Sequence, residues 1–193
     1  MENIERMKAE IHENAVAHGW WEESRSFGEI CALIHSELSE ALEEYRDGKP
    51  DVYIIGEHGI TPIKPEEWKG EKPEGIAVEL ADAVIRILDY MGIEELEYCW
   101  EADELYRDNV RGFLDADFGD FVARCHSDIS DAYIRSCDND DLRDILSESA
   151  ALSVCIRRIE AWHEAKGLDL AAIIAIKHEY NKARPYRHGG KRL

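Results

Sequence analysis

Two pairs of carboxylates stand out because each pair has the spacing of one helix face. Glu37 and Glu40 are three residues apart, and so are Glu79 and Asp82. Residues at i and i+3 lie on the same side of a helix, so two such helices packed side by side would bring four carboxylates together. Like charges repel in a partly dry site, and a divalent cation with oxygen ligands, usually Mg²⁺ where phosphates react, relieves that repulsion. The pairs therefore predict metal-dependent phosphate chemistry on a helical bundle.

The setting of these acids favours a buried site. The second pair lies within the apolar segment Ile76–Ile85, and the first pair alternates with small and apolar residues. Buried acids must be paired or bind a cation, and Arg86, four residues after Asp82, is a candidate partner. The alternative is a solvated helix face, the ordinary place for most of the 42 acids of this chain.

The end of the chain carries a second set of residues with a chemical pattern. Lys177, Asn181 and Arg184 fall at i, i+4 and i+7, so they share one helical face, and Arg187 and Lys191 follow on a glycine-containing segment. Arginine binds phosphate oxygens as a fork, and lysine acts as a point charge. This cluster of cations in an acidic protein predicts a phosphate-binding segment. The alternative is an ordinary basic end, which the helix dipole favours.

The composition limits the classes of function. The 193 residues suit one domain or two small ones that share a core, and the net charge of −19 disfavours nucleic-acid binding. Five scattered cysteines without a Cys-x-x-Cys motif predict reduced intracellular thiols. An acidic N-terminus and the lack of a long apolar run predict neither a signal peptide nor a membrane partner, with the cytoplasm as the default location.

Hydrophobic periodicity predicts an all-α helical bundle with one insertion. Residues 50–75 hold four of the five prolines, and the run Val52–Ile55 within them predicts a small hairpin. The predicted helices span 2–17, 27–46, 75–91, 93–110, 117–136, 139–166 and 169–183.

A weak internal repeat indicates a tandem, degenerate duplication. The segment Ile34–Ala41 is echoed by Cys125–Ala132, so the repeats would span 20–110 and 111–183. An alignment that matches Arg86 with Arg157 places Ala150 and Ser153 where the second acidic pair would lie, so the second copy has lost half of its ligands. The alternative is chance similarity between amphipathic helices.

Together these motifs resemble those of the all-α nucleoside triphosphate pyrophosphohydrolase superfamily, the MazG-like and dimeric dUTPase-like enzymes. The matching parts are Glu37–Glu40, Lys72–Asp82 and Lys177–Lys191. The resemblance implies a single domain over 1–193 with a MazG-like four-helix core. It also implies cleavage of a (deoxy)nucleotide between its α and β phosphates, to the monophosphate and pyrophosphate, as nucleotide-pool housecleaning. Mg²⁺ or Mn²⁺ would be the cofactor, and the enzyme would be a homodimer unless the duplicated chain imitates one.

The resemblance assigns a role to each matching residue. It implies that both acidic pairs are catalytic metal ligands. One of the four carboxylates, with Glu40 as the candidate, could instead act as the base toward water and not as a direct ligand. Lys177, Asn181 and Arg184 would contact phosphate or sugar, and the basic residues Arg187 and Lys191 would extend that contact. Trp68, like the Trp20–Trp21 pair, is placed in a loop where its ring could stack on a nucleobase.

This sequence departs from the superfamily pattern in two ways. Many relatives carry a further acid just before the first pair, where this chain has Ser36, so Glu44 one turn beyond Glu40 is a possible substitute. The spacer between the two pairs is also long, and the pattern gives it no role. Two other functions remain open: a non-enzymatic acidic interaction module, and a hydrolase of another phosphoanhydride such as phosphoribosyl-ATP or a signalling nucleotide.

Overall fold

The helices of the chain account for most of its structure, as the periodicity predicted. The computed structural model describes residues 3–102, 104, 117–137 and 145–187. The elements are α1 (Ile4–Ala17), α2 (Phe27–Arg46), β1 (Tyr53–Gly56), β2 (Gly59–Pro62), a 3₁₀ turn (Pro65–Glu67), α3 (Ile76–Ile93), α4 (Phe118–Cys137), α5 (Ile145–Ala165) and α6 (Leu170–Lys182). Among the described residues, no helix combines the length and the apolar character that crossing a bilayer requires.

Local signals fix the helix that carries the first acidic pair. The Ser26 hydroxyl accepts a hydrogen bond from the Glu29 amide (3.2 Å), and the Glu29 carboxylate accepts one from the Ser26 amide (2.8 Å). This capping box satisfies backbone donors that the first turn of α2 would leave open. The helix ends before Gly48, whose φ of +66° suits glycine. The predicted bounds of α2 therefore match those of the structure.

Two predicted helix bounds need comment. The prediction of a helix over 93–110 is wrong at its start, because α3 continues to Ile93 and the chain turns at Glu94 and Glu95 before it becomes helical again at Trp100. Residues 103 and 105–110 of that prediction lie outside the described residues. The same holds for the predicted start of the next-to-last helix at 139, and α5 is described from Ile145.

The helix α3 forms the centre of the bundle. It packs against α1, α2, α5 and α6, while α4 packs against α2 and α5. Its continuous apolar segment explains this position, because a helix that is apolar all round must be buried all round. Side chains such as Leu80, Val84 and Ile87 are fully buried in the core that these helices share. Any acid in the first half of α3 is therefore held inside the bundle.

The insertion at 50–75 contains the predicted hairpin and leads into α3. Strands β1 and β2 pair antiparallel, with Tyr53 opposite Pro62, and Tyr53 also pairs with Glu74 on its other side. The chain then passes Gly75, whose φ is +117° and where a Cβ would lie 2.6 Å from the carbonyl oxygen of Asp51. The amide of Ala77 donates to that same oxygen (2.9 Å). The insertion therefore fixes the start of α3, which carries the second acidic pair.

Candidate metal and phosphate site

Three of the four predicted ligands come together between α2 and α3. Each of Glu37, Glu40 and Glu79 offers a carboxylate oxygen, and these oxygens lie within 4.8 Å of one another. Glu37 and Glu79 are buried, whereas Glu40 is exposed. Glu79 lies in the first turn of α3, where the helix dipole favours a negative charge. The i, i+3 spacing of the first pair thus produces the predicted shared face, and the cluster has the hard oxygen donors that Mg²⁺ prefers.

The fourth predicted ligand, Asp82, lies beside this group but has a cationic partner. The Lys177 ammonium, on α6, lies 2.7 Å from Asp82 Oδ2, and Lys177 is only 3% exposed. Burial alone would lower the pKa of Lys177, but the carboxylates of Asp82 and Glu79 raise it above its ordinary value. Lys177 therefore stays charged inside the bundle and offsets part of the acidic charge.

Arg86 provides the second compensating charge. Its Nη2 and Nε lie 2.6 and 2.7 Å from Oε1 of Glu37, as the sequence spacing suggested for a neutralising partner, although the partner is on α2. Burial raises the pKa of Glu37, and Arg86 opposes that rise. Glu79 has less compensation. Burial raises its pKa from the ordinary 4.5 to about 8, against the opposing effect of Lys177 and with the support of the nearby acids.

A cavity of about 360 Å³ joins the acids to the basic face of α6. This volume lies within the range of small-molecule sites in proteins. Its walls include all four predicted metal ligands together with Lys177, Asn181 and Arg184, the residues predicted to contact phosphate or sugar. Lys72 from the insertion and Arg86 add two further cations. Residues almost 150 positions apart in the sequence therefore face one space.

Two buried polar atoms in this cavity lack a hydrogen-bond partner among the described residues. They are Oδ1 of Asn181 and Nε2 of His178, and both residues line the cavity. Buried polar groups in folded proteins are nearly always satisfied, so an unmet donor or acceptor in a cavity indicates a polar occupant. Together with the under-compensated carboxylate of Glu79, these atoms fit a site that holds a cation and a polar ligand.

Sequence reasoning missed the wall of the cavity that α1 and the following loop provide. Asn14, His18, Trp20 and Arg25 line it, together with Asp89 of α3. The Arg25 guanidinium lies 5.0 Å from the centre of the Trp20 ring. The aromatic residues of this loop were the only sequence signal for this wall, and chemical spacing within one helix could not reveal it.

Asp89 is held in place by two neighbours. Its Oδ1 accepts a hydrogen bond from the Trp21 indole (2.9 Å) and lies 2.8 Å from Nδ1 of His12. Burial raises the pKa of Asp89, and the contacts with His12 and Trp21 oppose that rise. Trp21 therefore ties the loop after α1 to α3, while Trp20 faces the cavity.

The remaining candidates that the structure describes do not line the cavity. The Trp68 indole donates to the Glu71 carbonyl (2.6 Å) within the insertion, and Arg187 binds the loop after α1 instead of facing the acids. Glu44, the substitute ligand, accepts a hydrogen bond from the Tyr53 hydroxyl (3.0 Å) and does not line the cavity. Lys191 lies outside the described residues. Ser36 does line the cavity, and its hydroxyl donates to Glu40 (3.2 Å).

Comparisons of the chain with protein-family models, with curated proteins and with solved structures give no match. The resemblance to the pyrophosphohydrolase superfamily therefore stays a prediction from the motifs, and a functional assignment depends on the residues and geometry of the cavity.

The raised pKa of Glu79 predicts how the stability of the metal-free protein depends on pH. The folded protein keeps this proton up to about pH 8, whereas the unfolded chain loses it near 4.5. Protonated Glu79 therefore contributes fully to the stability of the folded protein below pH 4.5, and this contribution is lost as the pH rises to about 8. We expect the melting temperature of the wild-type protein in a chelator to fall relative to that of the Glu79→Gln variant as the pH rises from 4.5 to about 8. Mg²⁺ should raise the wild-type melting temperature most at the upper end. A difference that is constant with pH would contradict the assignment.

Proposed function

We propose that the protein is a Mg²⁺-dependent nucleoside triphosphate pyrophosphohydrolase with a MazG-like core. The observation that carries the proposal is one cavity in which three carboxylates of α2 and α3 face Lys177 and Asn181 of α6 and Arg184 just beyond the end of that helix. A triphosphate needs both halves of such a site, since its oxygens require cationic contacts and its hydrolysis requires an activated water. A solvated acidic face would not place Glu79 and Lys177 inside the bundle, 6% and 3% exposed.

The residues divide the work of the reaction between two walls. Glu37 and Glu79 would hold the cation, which, when bound, supplies positive charge at the phosphate oxygens and activates the attacking water. Lys177 and Arg184 would hold the phosphates in line and stabilise the charge that develops on them. Asn181, with its unpaired side-chain oxygen, would accept a hydrogen bond from a sugar hydroxyl.

Glu40 is the residue best placed to accept the proton of the attacking water. It is the most exposed of the three clustered acids, and the Ser36 hydroxyl orients its Oε1. As the water oxygen bonds to the α phosphorus, the bond from that phosphorus to the bridging oxygen breaks, and pyrophosphate leaves with the bridging oxygen. The proton passes to Glu40, and the monophosphate remains.

The two halves of the bundle also support the proposed duplication. Helices α4 and α5 pair as α2 and α3 do, and the ion pair of Asp128 with Arg158 (2.8 Å) repeats that of Glu37 with Arg86. This equivalence matches Arg86 with Arg158, so the alignment from sequence is shifted by one residue. Ala151 and Val154 then stand where Glu79 and Asp82 lie in the first half. We infer one complete site per chain.

A panel of nucleotides tests the proposal. The purified protein, with Mg²⁺ or with a chelator, is incubated with the common ribo- and deoxynucleoside triphosphates, phosphoribosyl-ATP and a signalling nucleotide. Chromatography then identifies the products. We expect a monophosphate and pyrophosphate from at least one triphosphate, only with the metal. Products from phosphoribosyl-ATP or the signalling nucleotide alone would favour the other hydrolase.

The same panel addresses the interaction module. Glu40→Gln should remove the activity, and Glu43→Gln, an exposed acid on the same helix that does not line the cavity, is the matched control and should retain it. No hydrolysis of any compound, together with no Mg²⁺-induced rise in melting temperature, would reject the enzyme proposal and favour the interaction module.

A further inference from the structure

The last described residues of the chain fasten the loop that follows α1. The Arg187 amide donates to the His18 carbonyl (3.1 Å), and its Nε donates to the Gly19 carbonyl (3.1 Å). Its two terminal nitrogens lie 3.3 Å from a Glu22 carboxylate oxygen and 3.8 Å from one of Glu23. The guanidinium therefore points at the loop, and its charge is opposed by acids of that loop.

The ring of Tyr186 packs against the same loop at Gly19. Gly19 has a φ of +77°, and a Cβ built there would overlap the Tyr186 ring. The contact thus depends on the absence of a side chain at position 19, both for the backbone conformation and for space. Tyr186 and Arg187 together contact the backbone of the loop at His18 and Gly19. We name this pair of residues the strap.

The strap joins two walls of the cavity. Trp20, next to Gly19, lines the cavity, and so does Arg184, three residues before Arg187. The loop has no regular secondary structure. Backbone hydrogen bonds from Gly19 and Trp20 join it to the end of α1, and the contacts of the strap and of Trp21 with Asp89 hold it from the other side. The segment that carries a phosphate-binding arginine therefore also holds the aromatic ring at the other wall.

We propose that Arg187 and Tyr186 are positioning residues that hold Trp20 against the base-bearing part of a bound nucleotide. This inference rests on the proposed function. Arg187 does not contact the phosphates in this arrangement, contrary to the expectation from sequence, because its guanidinium is engaged with Gly19 and Glu22. Trp20 offers a flat apolar ring next to the Arg25 guanidinium, and Asp89 lines the same cavity. Such a wall suits a nucleobase and not a bare polyphosphate.

Measuring the binding of two ligands distinguishes a positioning role of Arg187 from direct contact between Arg187 and the phosphates. One is a nucleotide whose α–β bridging oxygen is replaced by an imido group, and the other is inorganic tripolyphosphate, both with Mg²⁺. We expect Arg187→Ala to weaken the nucleotide about fivefold, as for loss of a partly exposed ion pair with one hydrogen bond. Tripolyphosphate binding should stay within about twofold. Arg184→Ala should weaken both ligands alike, and the KM of Arg187→Ala should rise more than its kcat falls. Equal loss of both ligands in Arg187→Ala would make it a phosphate ligand and overturn the inference.

A second measurement works even if no nucleotide is bound. The fluorescence of wild type minus that of Trp20→Phe isolates Trp20, and acrylamide quenching reports its exposure. We expect Arg187→Ala to increase that quenching, whether or not the protein is an enzyme. Unchanged quenching would reject the strap, whereas increased quenching without nucleotide binding would reject only the proposed function.

The glycine contact has a matched control. Gly19→Ala and Gly167→Ala replace glycines of similar φ, +77° and +71°, but no described atom lies within 4 Å of a Cβ at Gly167. Only Gly19→Ala should raise Trp20 quenching and nucleotide KM, and adding Tyr186→Ala should lessen its loss of stability by relieving the overlap. Equal effects of the two alanine variants would contradict the role of Tyr186.

Discussion

Replacement of Glu79 by glutamine is expected to abolish Mg²⁺-dependent turnover and, at the same time, to stabilise the metal-free protein. The carboxylate is 6% exposed, and burial raises its pKa to about 8. Above that pH the metal-free protein carries a buried charge that Lys177 only partly offsets, and a neutral amide of the same shape removes that cost. The gain and the loss would have one cause, since the buried Glu79 carboxylate lacks a full compensating charge unless a cation is bound.

The expected loss of turnover is at least about a hundredfold, because a bound cation contributes several kcal/mol of charge stabilisation. Pyrophosphate release measures it, and thermal unfolding in a chelator at pH above about 8 measures the stability. Glu43→Gln controls for removal of a negative charge from the same region. Unchanged turnover in Glu79→Gln would reject the metal site. Lower stability with lost turnover would show that Glu79 mainly supports the fold.

The acids of the site were predictable because their geometry is local. The i, i+3 spacing of Glu37 and Glu40 defines a face as soon as the helix forms, and the apolar surroundings of Glu79 determine that α3 is buried. Burial then places Glu37 and Glu79 opposite each other between the two helices, with the exposed Glu40 beside them. Lys177 and Asn181 follow the same logic on α6, whereas Arg184 lies two residues beyond its end at Lys182. All three line the cavity.

The other wall was not predictable from local patterns. Asn14, His18 and Trp20 reach the cavity only because α1 packs on α3, and no spacing within one segment encodes that docking. Arg187 shows the opposite case. The basic segment in which it lies predicted contact with phosphate, whereas in the structure its guanidinium lies near Glu22 and Glu23 of a distant loop. Trp68 and Trp20 were equivalent as loop aromatics, and only tertiary packing distinguishes them.

The proposed repeat depends on sequence similarity between amphipathic helices, which defines an alignment poorly. A shift of one residue still matches many apolar positions, so the alignment that paired Arg86 with Arg157 was plausible. The side chains distinguish the two arginines: Arg157 pairs with Glu160 and Glu164 on its own helix, whereas Arg158 reaches Asp128 on α4. If the two halves are repeats, the interhelical ion pair marks equivalent positions better than the apolar pattern does.

That ion pair leads to the largest stability effect that we predict. Arg158 is 6% exposed, and it makes two hydrogen bonds with Asp128, at 2.8 and 3.2 Å. Burial raises the pKa of Asp128, and Arg158 opposes that rise. Arg158→Met would leave the half-buried Asp128 carboxylate, whose side chain is 16% exposed, without its hydrogen-bonded cation. The free energy of unfolding should fall by about 3 kcal/mol, the lower end of the range for a buried ion pair. Urea unfolding followed by circular dichroism measures this loss.

Two further variants distinguish a structural pair from a functional one. Because an apolar pair of similar volume often replaces a buried ion pair without cost, Arg158→Met combined with Asp128→Leu should recover most of the lost stability. The folded fraction of either variant should keep wild-type turnover, since neither residue lines the cavity. Loss of turnover beyond the unfolded fraction would show that the second half takes part in catalysis. Retained turnover would instead support a second half in which the ion pair persists as scaffold after the acids corresponding to Glu79 and Asp82 were lost.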